Sequence, residues 1–140
     1  MIITIASDHG GYQYKEDIDN YLRAKGHEVI NLGCYSEQSV DYPDFADMVC
    51  DLVESTTADL GILVCGTGIG MSMAANRRSK IRAGLCKDVE TAKLTRQHNN
   101  ANVLCLGARV TDKQSIEPIV QAFISTDFEG GRHEKRLKKF

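Results

Sequence analysis

The chain has 140 residues, of which 42% are hydrophobic and 26% are charged, and its formal net charge is -2. This size and balance are typical of one globular domain, and they exclude a general electrostatic attraction to nucleic acid or to a membrane surface. The apolar runs are too short to span a bilayer, and the first residues lack the basic start of a signal peptide. Five cysteines without a CxxC pair favour free thiols, so we expect a cytoplasmic protein.

Apolar runs alternate with amphipathic segments along the whole chain. The runs predict five β-strands, at Ile2–Ala6, Glu28–Leu32, Leu60–Val64, Ile81–Leu85 and Val103–Leu106. The segments between and after them predict helices in residues 14–22, in residues 42–53, and at Met71–Lys80, Val89–His98, Ile116–Ser125 and Arg132–Lys139. Gly26 is expected to end the first helix, Asp41 and Asp88 to begin the second and fourth, and Ser115 to begin the fifth, which puts Pro118 in a first turn.

Strands that alternate with helices predict an α/β fold, a three-layer α/β/α Rossmann-like domain with a five-stranded parallel sheet and a C-terminal helix. No repeat, linker or low-complexity tract divides the chain, so we expect a single domain over residues 1–140. Ligands of such folds bind outside the carboxyl ends of the strands. Ser7–Gly11, Cys65–Gly70 and Gly107–Arg109 each follow a strand and are predicted to share that edge, whereas His98-Asn99 precedes a strand and falls on the opposite one.

The glycine-rich segment Cys65-Gly66-Thr67-Gly68-Ile69-Gly70 follows the third predicted strand and precedes a helix. Glycines let backbone N–H groups converge on an anion, and a cysteine beside a helix N-terminus sits where a thiolate is favoured. A P-loop is excluded because no Gly-Lys-Ser/Thr follows, and the spacing departs from the GxGxxG of dinucleotide sites. A tight strand-to-helix turn without a ligand remains the structural alternative.

Three further groups have both a functional and a structural interpretation. Asp8-His9 is either part of a site or a polar turn with a capping aspartate, and His98-Asn99 suits a helix C-terminus equally well. Arg132 and Arg136 share one helical face, where guanidinium groups suit a phosphate, but they also belong to a basic tail. No group of histidines, cysteines and carboxylates has metal-ligand spacing, so no metal site is expected.

Taken together, these motifs closely resemble the B-type ribose-5-phosphate isomerases, a family that includes the galactose-6-phosphate isomerase subunits. The resemblance runs in order along nearly the whole chain. It is carried by Ser7-Asp8-His9-Gly10-Gly11, Asp41-Tyr42-Pro43, Cys65-Gly66-Thr67-Gly68-Ile69-Gly70, Ala74-Ala75-Asn76, Arg96-Gln97-His98-Asn99 and Glu129-Gly130-Gly131-Arg132-His133.

The resemblance implies interconversion of ribose 5-phosphate and ribulose 5-phosphate through a cis-enediolate, without metal or cofactor, in the pentose phosphate pathway. It implies that Cys65 is the base that moves a proton between C2 and C1. His98 would be the acid that opens the furanose ring, with Asp8 and Thr67 nearby. Some relatives use a glutamate in the helix after the glycine loop, but Met73–Asn76 offers no carboxylate, which assigns the chain to the cysteine subgroup.

The resemblance also implies how the substrate is held. Backbone amides would stabilise the enediolate, at Gly66, Thr67, Gly68, Ile69 and Gly70. Sugar hydroxyls would be bound by Asp8, His9 and Asn99, and the phosphate by His9, Arg109, Arg132 and Arg136. Because His98 lies on the wrong edge of its own sheet, the implied assembly is a homodimer, or a tetramer, with active sites at the subunit interface. The alternatives are an isomerase of a six-carbon sugar phosphate, allose 6-phosphate or galactose 6-phosphate, and a non-catalytic sugar-phosphate-binding module.

Overall fold

The computed structural model describes residues 1–140. Its five parallel strands form one sheet in the order β2-β1-β3-β5-β4. The strands are β1 Ile2–Ser7, β2 Glu28–Asn31, β3 Leu60–Cys65, β4 Ala83–Leu85 and β5 Val103–Gly107. The helices are α1 Tyr12–Ala24, α2 Tyr42–Glu54, α3 Ile69–Ala75, α4 Val89–Asn99, α5 Lys113–Ser125 and α6 Arg132–Leu137. None of these helices combines the length and the apolar character needed to cross a membrane. The predicted α/β fold with a five-stranded parallel sheet is confirmed.

The central strands are buried on both faces because alternate side chains join two separate apolar cores. Along β3, Ile62 and Val64 belong to one core, and Leu63 and Cys65 belong to the other. Apolar residues of α1, α4 and α5 complete the first core, and those of α2 and α3 complete the second. This two-sided burial explains why the central strands read as continuous apolar runs in the sequence.

The boundary between α3 and β4 differs from the prediction. Asn76 accepts the Ala83 N–H at 2.8 Å and donates its amide to the Ala83 carbonyl at 2.9 Å. This paired contact fixes the chain reversal, so α3 ends at Ala75 and β4 begins at Ala83. The predicted Met71–Lys80 helix is therefore too long at its end, and the predicted strand from Ile81 begins too early.

Helix α5 begins at Lys113, with Asp112 as its N-cap, and the prediction of Ser115 as the cap is wrong. Pro118 consequently lies inside the helix instead of in its first turn. Its missing N–H leaves the carbonyl of Gln114 without a helical donor. Both residues are exposed, so this part of the helix is open to solvent, which can replace the missing donor.

The other predicted helix ends agree better with the structure. Asp88 caps α4 in a reciprocal capping box with Thr91. Gly26 follows α1 with a φ of +89°, as a C-terminal glycine does. Asp41 stands at the N-cap of α2, but its side chain makes no capping hydrogen bond.

Candidate active site

The loops after β1, β3 and β5 meet at one edge of the sheet because β1 and β5 both pair with β3. The register aligns Ser7 with Val64 and Cys65 with Gly107. Backbone hydrogen bonds join the β5 loop to the β3 loop, from Ala108 N–H to the Cys65 carbonyl at 2.9 Å and from Arg109 to Gly66 at 2.8 Å. The predicted meeting of the three loops is confirmed. The connection from β1 runs to β2 on one side, whereas the connection from its neighbour β3 runs towards β4 on the other side, so this edge contains the switch point at which doubly wound folds bind ligands.

An open cavity of about 260 Å³ lies between these loops. Its lining comprises Asp8, His9, Gly10, Tyr42, Cys65, Gly66, Thr67, Gly70 and Arg109. The volume is below the roughly 300–1,000 Å³ of typical small-molecule pockets. Gly10 and Tyr42 were not among the predicted site residues. The Tyr42 ring lies against Gly70, where a Cβ would stand 2.6 Å from its Cζ atom.

Cys65 is the last residue of β3, and only 5% of its surface is exposed. Its Sγ accepts the backbone N–H of Gly68 at 3.1 Å. Gly68 has a φ of +77°, in the left-handed region that glycine adopts without strain. The turn therefore directs a backbone donor at the sulfur.

The glycine loop also carries backbone donors with no partner inside the protein. The N–H groups of Gly66 and Thr67 donate to no backbone or side-chain acceptor, although both residues line the cavity. The Ile69 N–H, in contrast, donates to the Thr67 hydroxyl at 3.3 Å. Gly68 and Ile69 do not line the cavity, so the structure brings only part of the predicted amide set to it.

Asp8 and His9 enter the cavity through a short 3-10 turn, His9–Gly11. The Asp8 Oδ1 atom caps this turn by accepting the N–H groups of Gly10 at 2.9 Å and Gly11 at 3.2 Å. His9 Nδ1 lies 3.2 Å from the Val40 N–H and accepts it. A neutral His9 ring therefore carries its proton on Nε2, which leaves a donor for a ligand.

Arg109 supplies the one arginine or lysine of the cavity lining. Its guanidinium packs over Gly66, where an added Cβ would lie 3.3 Å from Nε. A Cβ at residue 66 would make a tight contact, which the arginine side chain would have to relieve by a small shift. The side chain remains exposed, so its positive charge faces the open mouth of the cavity. An anionic ligand is the natural complement of that charge.

The remaining cysteines do not share this setting, although all five are free and buried. Burial raises the pKa of the Cys50 and Cys86 thiols to about 11 in each case. Burial likewise raises the pKa of Cys105. These thiols are neutral packing groups, and none of them lines the cavity. Cys34 also lies outside the cavity lining, so Cys65 is the one thiol in that lining.

Four predicted site residues, His98, Asn99, Arg132 and Arg136, lie away from the cavity. The first two stand in the last turn of α4, which leads into the opposite end of the sheet, as predicted. The two arginines are exposed on α6. The chain thus carries two separated halves of the predicted residue set.

His98, Glu129 and His133 form a cluster whose nitrogen and oxygen atoms lie within 4.8 Å of one another. The two imidazole rings are stacked, with centroids 4.3 Å apart and planes inclined by 16°. An imidazole lone pair lies in the plane of its ring, so one ion cannot lie on both lone pairs while the rings are stacked. In this arrangement the cluster does not form a metal centre.

The fold and the cavity define a doubly wound α/β protein with a small-molecule site at its switch point, built from a thiol, free backbone donors and one arginine. Residues 3–140 match the model of the Ribose/Galactose Isomerase family. The chain belongs to this family.

Several solved and curated proteins are similar to the chain over nearly its full length. A ribose 5-phosphate isomerase structure from Thermotoga maritima is 53% identical with a TM-score of 0.97, covering 99% of this chain and 95% of that one. Ribose-5-phosphate isomerase B from Mycoplasma genitalium, solved with bound ribulose 5-phosphate, is 46% identical with a TM-score of 0.94, at 99% and 92% coverage. Ribose-5-phosphate isomerase B of Escherichia coli K12 is 42% identical over 136 residues, 97% of this chain and 91% of the relative.

Proposed function

We propose that the protein is an aldose–ketose isomerase that interconverts ribose 5-phosphate and ribulose 5-phosphate by metal-free proton transfer. The observation that carries the proposal is the Cys65 thiol in a cavity lined by the unpaired N–H groups of Gly66 and Thr67. A base beside donors for a developing oxyanion is what removal of a proton next to a carbonyl requires. Family membership and the ribulose 5-phosphate bound by the Mycoplasma genitalium relative support the choice of substrate.

The reaction begins on the open-chain aldose. The Cys65 thiolate takes the proton from C2, and the C–H electron pair forms the C1–C2 double bond of a cis-enediolate with negative charge on O1. Backbone N–H groups stabilise that charge, and one such donor is worth about 3–4 kcal/mol in comparable sites. The hydroxyl proton of O2 passes to O1, and the Cys65 thiol returns its proton to C1, which leaves the ketone at C2.

Ring opening requires an acid, and His98 is the proposed one, with Asp8 and Thr67 beside the sugar. His98 lies outside the cavity of its own chain, so we infer that a second copy of the chain supplies it. The small open cavity supports this assembly, as do exposed apolar side chains next to the glycine loop. Ile69 and Met73 share one face of α3, and Leu85 lies against Gly68. A homodimer that buries this patch completes two sites, and a tetramer built from two such dimers would complete four.

The phosphate is assigned to cations from both subunits. His9 and Arg109 line the cavity, and Arg132 and Arg136 of the second copy would approach its mouth. Arg132 and Arg136 are four residues apart on α6, so their guanidinium groups share one helical face. The sugar hydroxyls are assigned to Asp8, His9 and Asn99. The backbone amides of the glycine loop are assigned to the enediolate.

Two other functions remain as alternatives to test. The same chemistry on allose 6-phosphate or galactose 6-phosphate would need a deeper cavity, and the family description includes galactose isomerases. A non-catalytic sugar-phosphate-binding module would need neither the Cys65 thiol nor the His98 acid. The proposed setting is the pentose phosphate pathway in a reducing compartment, which the five free cysteines support.

The decisive experiment follows ribose 5-phosphate conversion and deuterium incorporation in D2O. Wild type should incorporate solvent deuterium, whereas Cys65→Ala should lose both isomerisation and exchange. His98→Ala should lose conversion of the cyclic aldose but keep exchange at C1 of ribulose 5-phosphate, which has no furanose form. Substantial turnover by Cys65→Ala would remove Cys65 as the base. Allose 6-phosphate and galactose 6-phosphate, assayed in parallel, rank the substrates.

A further inference from the structure

His133 is buried on an otherwise exposed basic helix. Only 7% of its surface is accessible, whereas Arg132, Glu134, Lys135 and Arg136 around it are exposed. Its ring stacks on that of His98, with centroids 4.3 Å apart and an interplanar angle of 16°. Its Nε2 atom lies 3.5 Å from the Glu129 carboxylate. The proposed reaction uses His98 but gives no role to this neighbouring ring.

The segment that leads into α6 is bound to α4 by contacts that do not involve either imidazole ring. Glu129 donates its backbone N–H to the Gln97 carbonyl at 3.1 Å. Arg96 donates from Nε to the Thr126 carbonyl at 3.0 Å. These bonds join the segment before α6 to the last turn of α4. These contacts therefore fix the position of the His133 ring relative to α4 without involving the His98 side chain.

We propose that His133 is a positioning residue, whose stacked ring fixes the orientation of His98 for ring opening of the sugar phosphate. This inference rests on the proposed function, because it assigns His133 a task in one step of that reaction. His98 is only half-buried at the end of α4, and such a side chain samples several rotamers unless a neighbour restricts it. Stacking against a buried ring removes that freedom for His98, and a misplacement of about 1 Å in a catalytic group can lower a rate about 100-fold.

The charged groups around His133 and His98 are consistent with His133 acting as the stacking ring and His98 as the acid. The charged groups that act on His133 are His98 on α4, Glu129 before α6, and Arg132 and Arg136 on α6. Burial, followed by the charges of His98 and Arg132, lowers the pKa of His133. The lowered pKa disfavours the charged form of His133, so its ring offers His98 an aromatic face and not a second positive charge.

The test separates ring opening from proton transfer in the assembled enzyme. His133→Ala removes the stacking ring, His133→Phe keeps an aromatic face without nitrogen, and Lys135→Ala is the control on the exposed face of α6. His133→Ala should lower the turnover of ribose 5-phosphate about 10- to 100-fold. Exchange of the C1 proton of ribulose 5-phosphate into D2O needs no ring opening and should change by less than about threefold. His133→Phe should recover most of the lost turnover, and Lys135→Ala should behave as wild type.

Two results would overturn the proposal. One is an equal loss of ribose 5-phosphate turnover and ribulose 5-phosphate exchange in His133→Ala, which would mark a general structural role. The other is unchanged turnover of ribose 5-phosphate in that variant. The ring signals of His98 in NMR spectra provide a readout that does not depend on activity, because loss of the stacked ring must shift them. If wild type isomerises no sugar phosphate, the proposed function fails, while an unshifted His98 signal in His133→Ala contradicts the stacking itself.

Discussion

Gly68 donates its backbone N–H to the Cys65 sulfur across 3.1 Å. This contact joins the proposed base to the one residue of the loop that adopts a left-handed backbone conformation. A glycine turn thus has two tasks here, because it reverses the chain into α3 and aims a donor at the thiol. The reactivity of the Cys65 thiol should therefore depend on the backbone conformation of residue 68.

Replacement of Gly68 by alanine tests this dependence. The added Cβ would lie 2.5 Å from Leu85 Cδ1 and 2.9 Å from the backbone of Leu106, at a φ of +77°. We expect destabilisation by about 1–3 kcal/mol, because the strained backbone and the clash must relax together. Relaxation moves the N–H away from Cys65, so alkylation of Cys65 by iodoacetamide should slow and turnover should fall. Mass spectrometry of the Cys65 peptide reports the alkylation rate.

Gly26→Ala is the matched control for that variant. Gly26 also has a positive φ, +89°, but an added Cβ would meet nothing within 4 Å. The control therefore carries the backbone penalty without the clash and lies far from the sulfur. Its alkylation rate and turnover should equal those of wild type. Equal losses in both variants would mean that general destabilisation, and not the Gly68 contact, controls the thiol.

Mixed dimers test whether a site combines residues from two subunits. Cys65→Ala and His98→Ala are each expected to be inactive on ribose 5-phosphate as homodimers. In a hybrid of the two, one site receives an intact Cys65 and an intact His98, and the other site receives neither. Equal mixing with free subunit exchange makes about half of the dimers hybrid, so about a quarter of the wild-type rate should return. The rate is measured after the two variants are refolded together.

Separate refolding followed by mixing on ice, where subunits do not exchange, is the control for this complementation and should restore no activity. Restored activity only after joint refolding assigns the two residues to different subunits of one site. Failure to complement, with hybrid dimers verified by mass spectrometry, would mean that each chain supplies its own His98.

Much of the fold and part of the site follow from local patterns in the sequence. Continuous apolar runs such as that of β3 identify the central strands, because both of their faces are buried. Parallel strands bring the segments that follow them to one edge, so the proximity of Asp8, Cys65 and Arg109 is predictable once strands are assigned. The position of His98 at the other edge follows by the same argument.

The sequence patterns could not predict contacts between residues that are distant in the chain. Tyr42 begins α2 and looks like an ordinary helix-start residue, yet its ring lies against Gly70 and lines the cavity. The end of α3 depends on the bonds of Asn76 to Ala83, and helical periodicity contains no sign of them. The stacking of His98 on His133 likewise joins segments that are far apart in the chain.

Arg78 joins the turn after α3 to three carboxylates of α2. Its guanidinium lies 2.6 Å from Asp51, 3.0 Å from Glu54 and 3.2 Å from Asp47. Arg78→Ala removes this network and leaves the carboxylates facing one another, so we expect a loss of about 1 kcal/mol that shrinks at high salt. Urea unfolding at low and high NaCl measures it. The neighbouring exposed Arg77 forms no ion pair, and Arg77→Ala should have little effect; equal losses for the two variants would contradict the network.

The Asp88 cap should make the stability of α4, the helix that carries His98, depend on pH in the acid range. Asp88 Oδ1 accepts the Thr91 N–H at 2.7 Å and the Thr91 hydroxyl at 2.8 Å, and these bonds lower the pKa of the carboxyl from its ordinary 3.8. A carboxyl with a lowered pKa contributes stability above the ordinary value and loses it as the pH falls through the lowered value.

Asp88→Ala should therefore be less stable than wild type at neutral pH, and the gap should narrow as the pH falls below 3.8. Asp88→Asn keeps an acceptor for the Thr91 N–H without a titrating group, so this variant should remain capped and keep a constant difference from Asp88→Ala over the same range. Urea unfolding at a fixed protein concentration measures all three proteins, since unfolding of an oligomer depends on concentration. A gap between wild type and Asp88→Ala that stays constant through acid would show that the charge of Asp88 adds nothing to the cap.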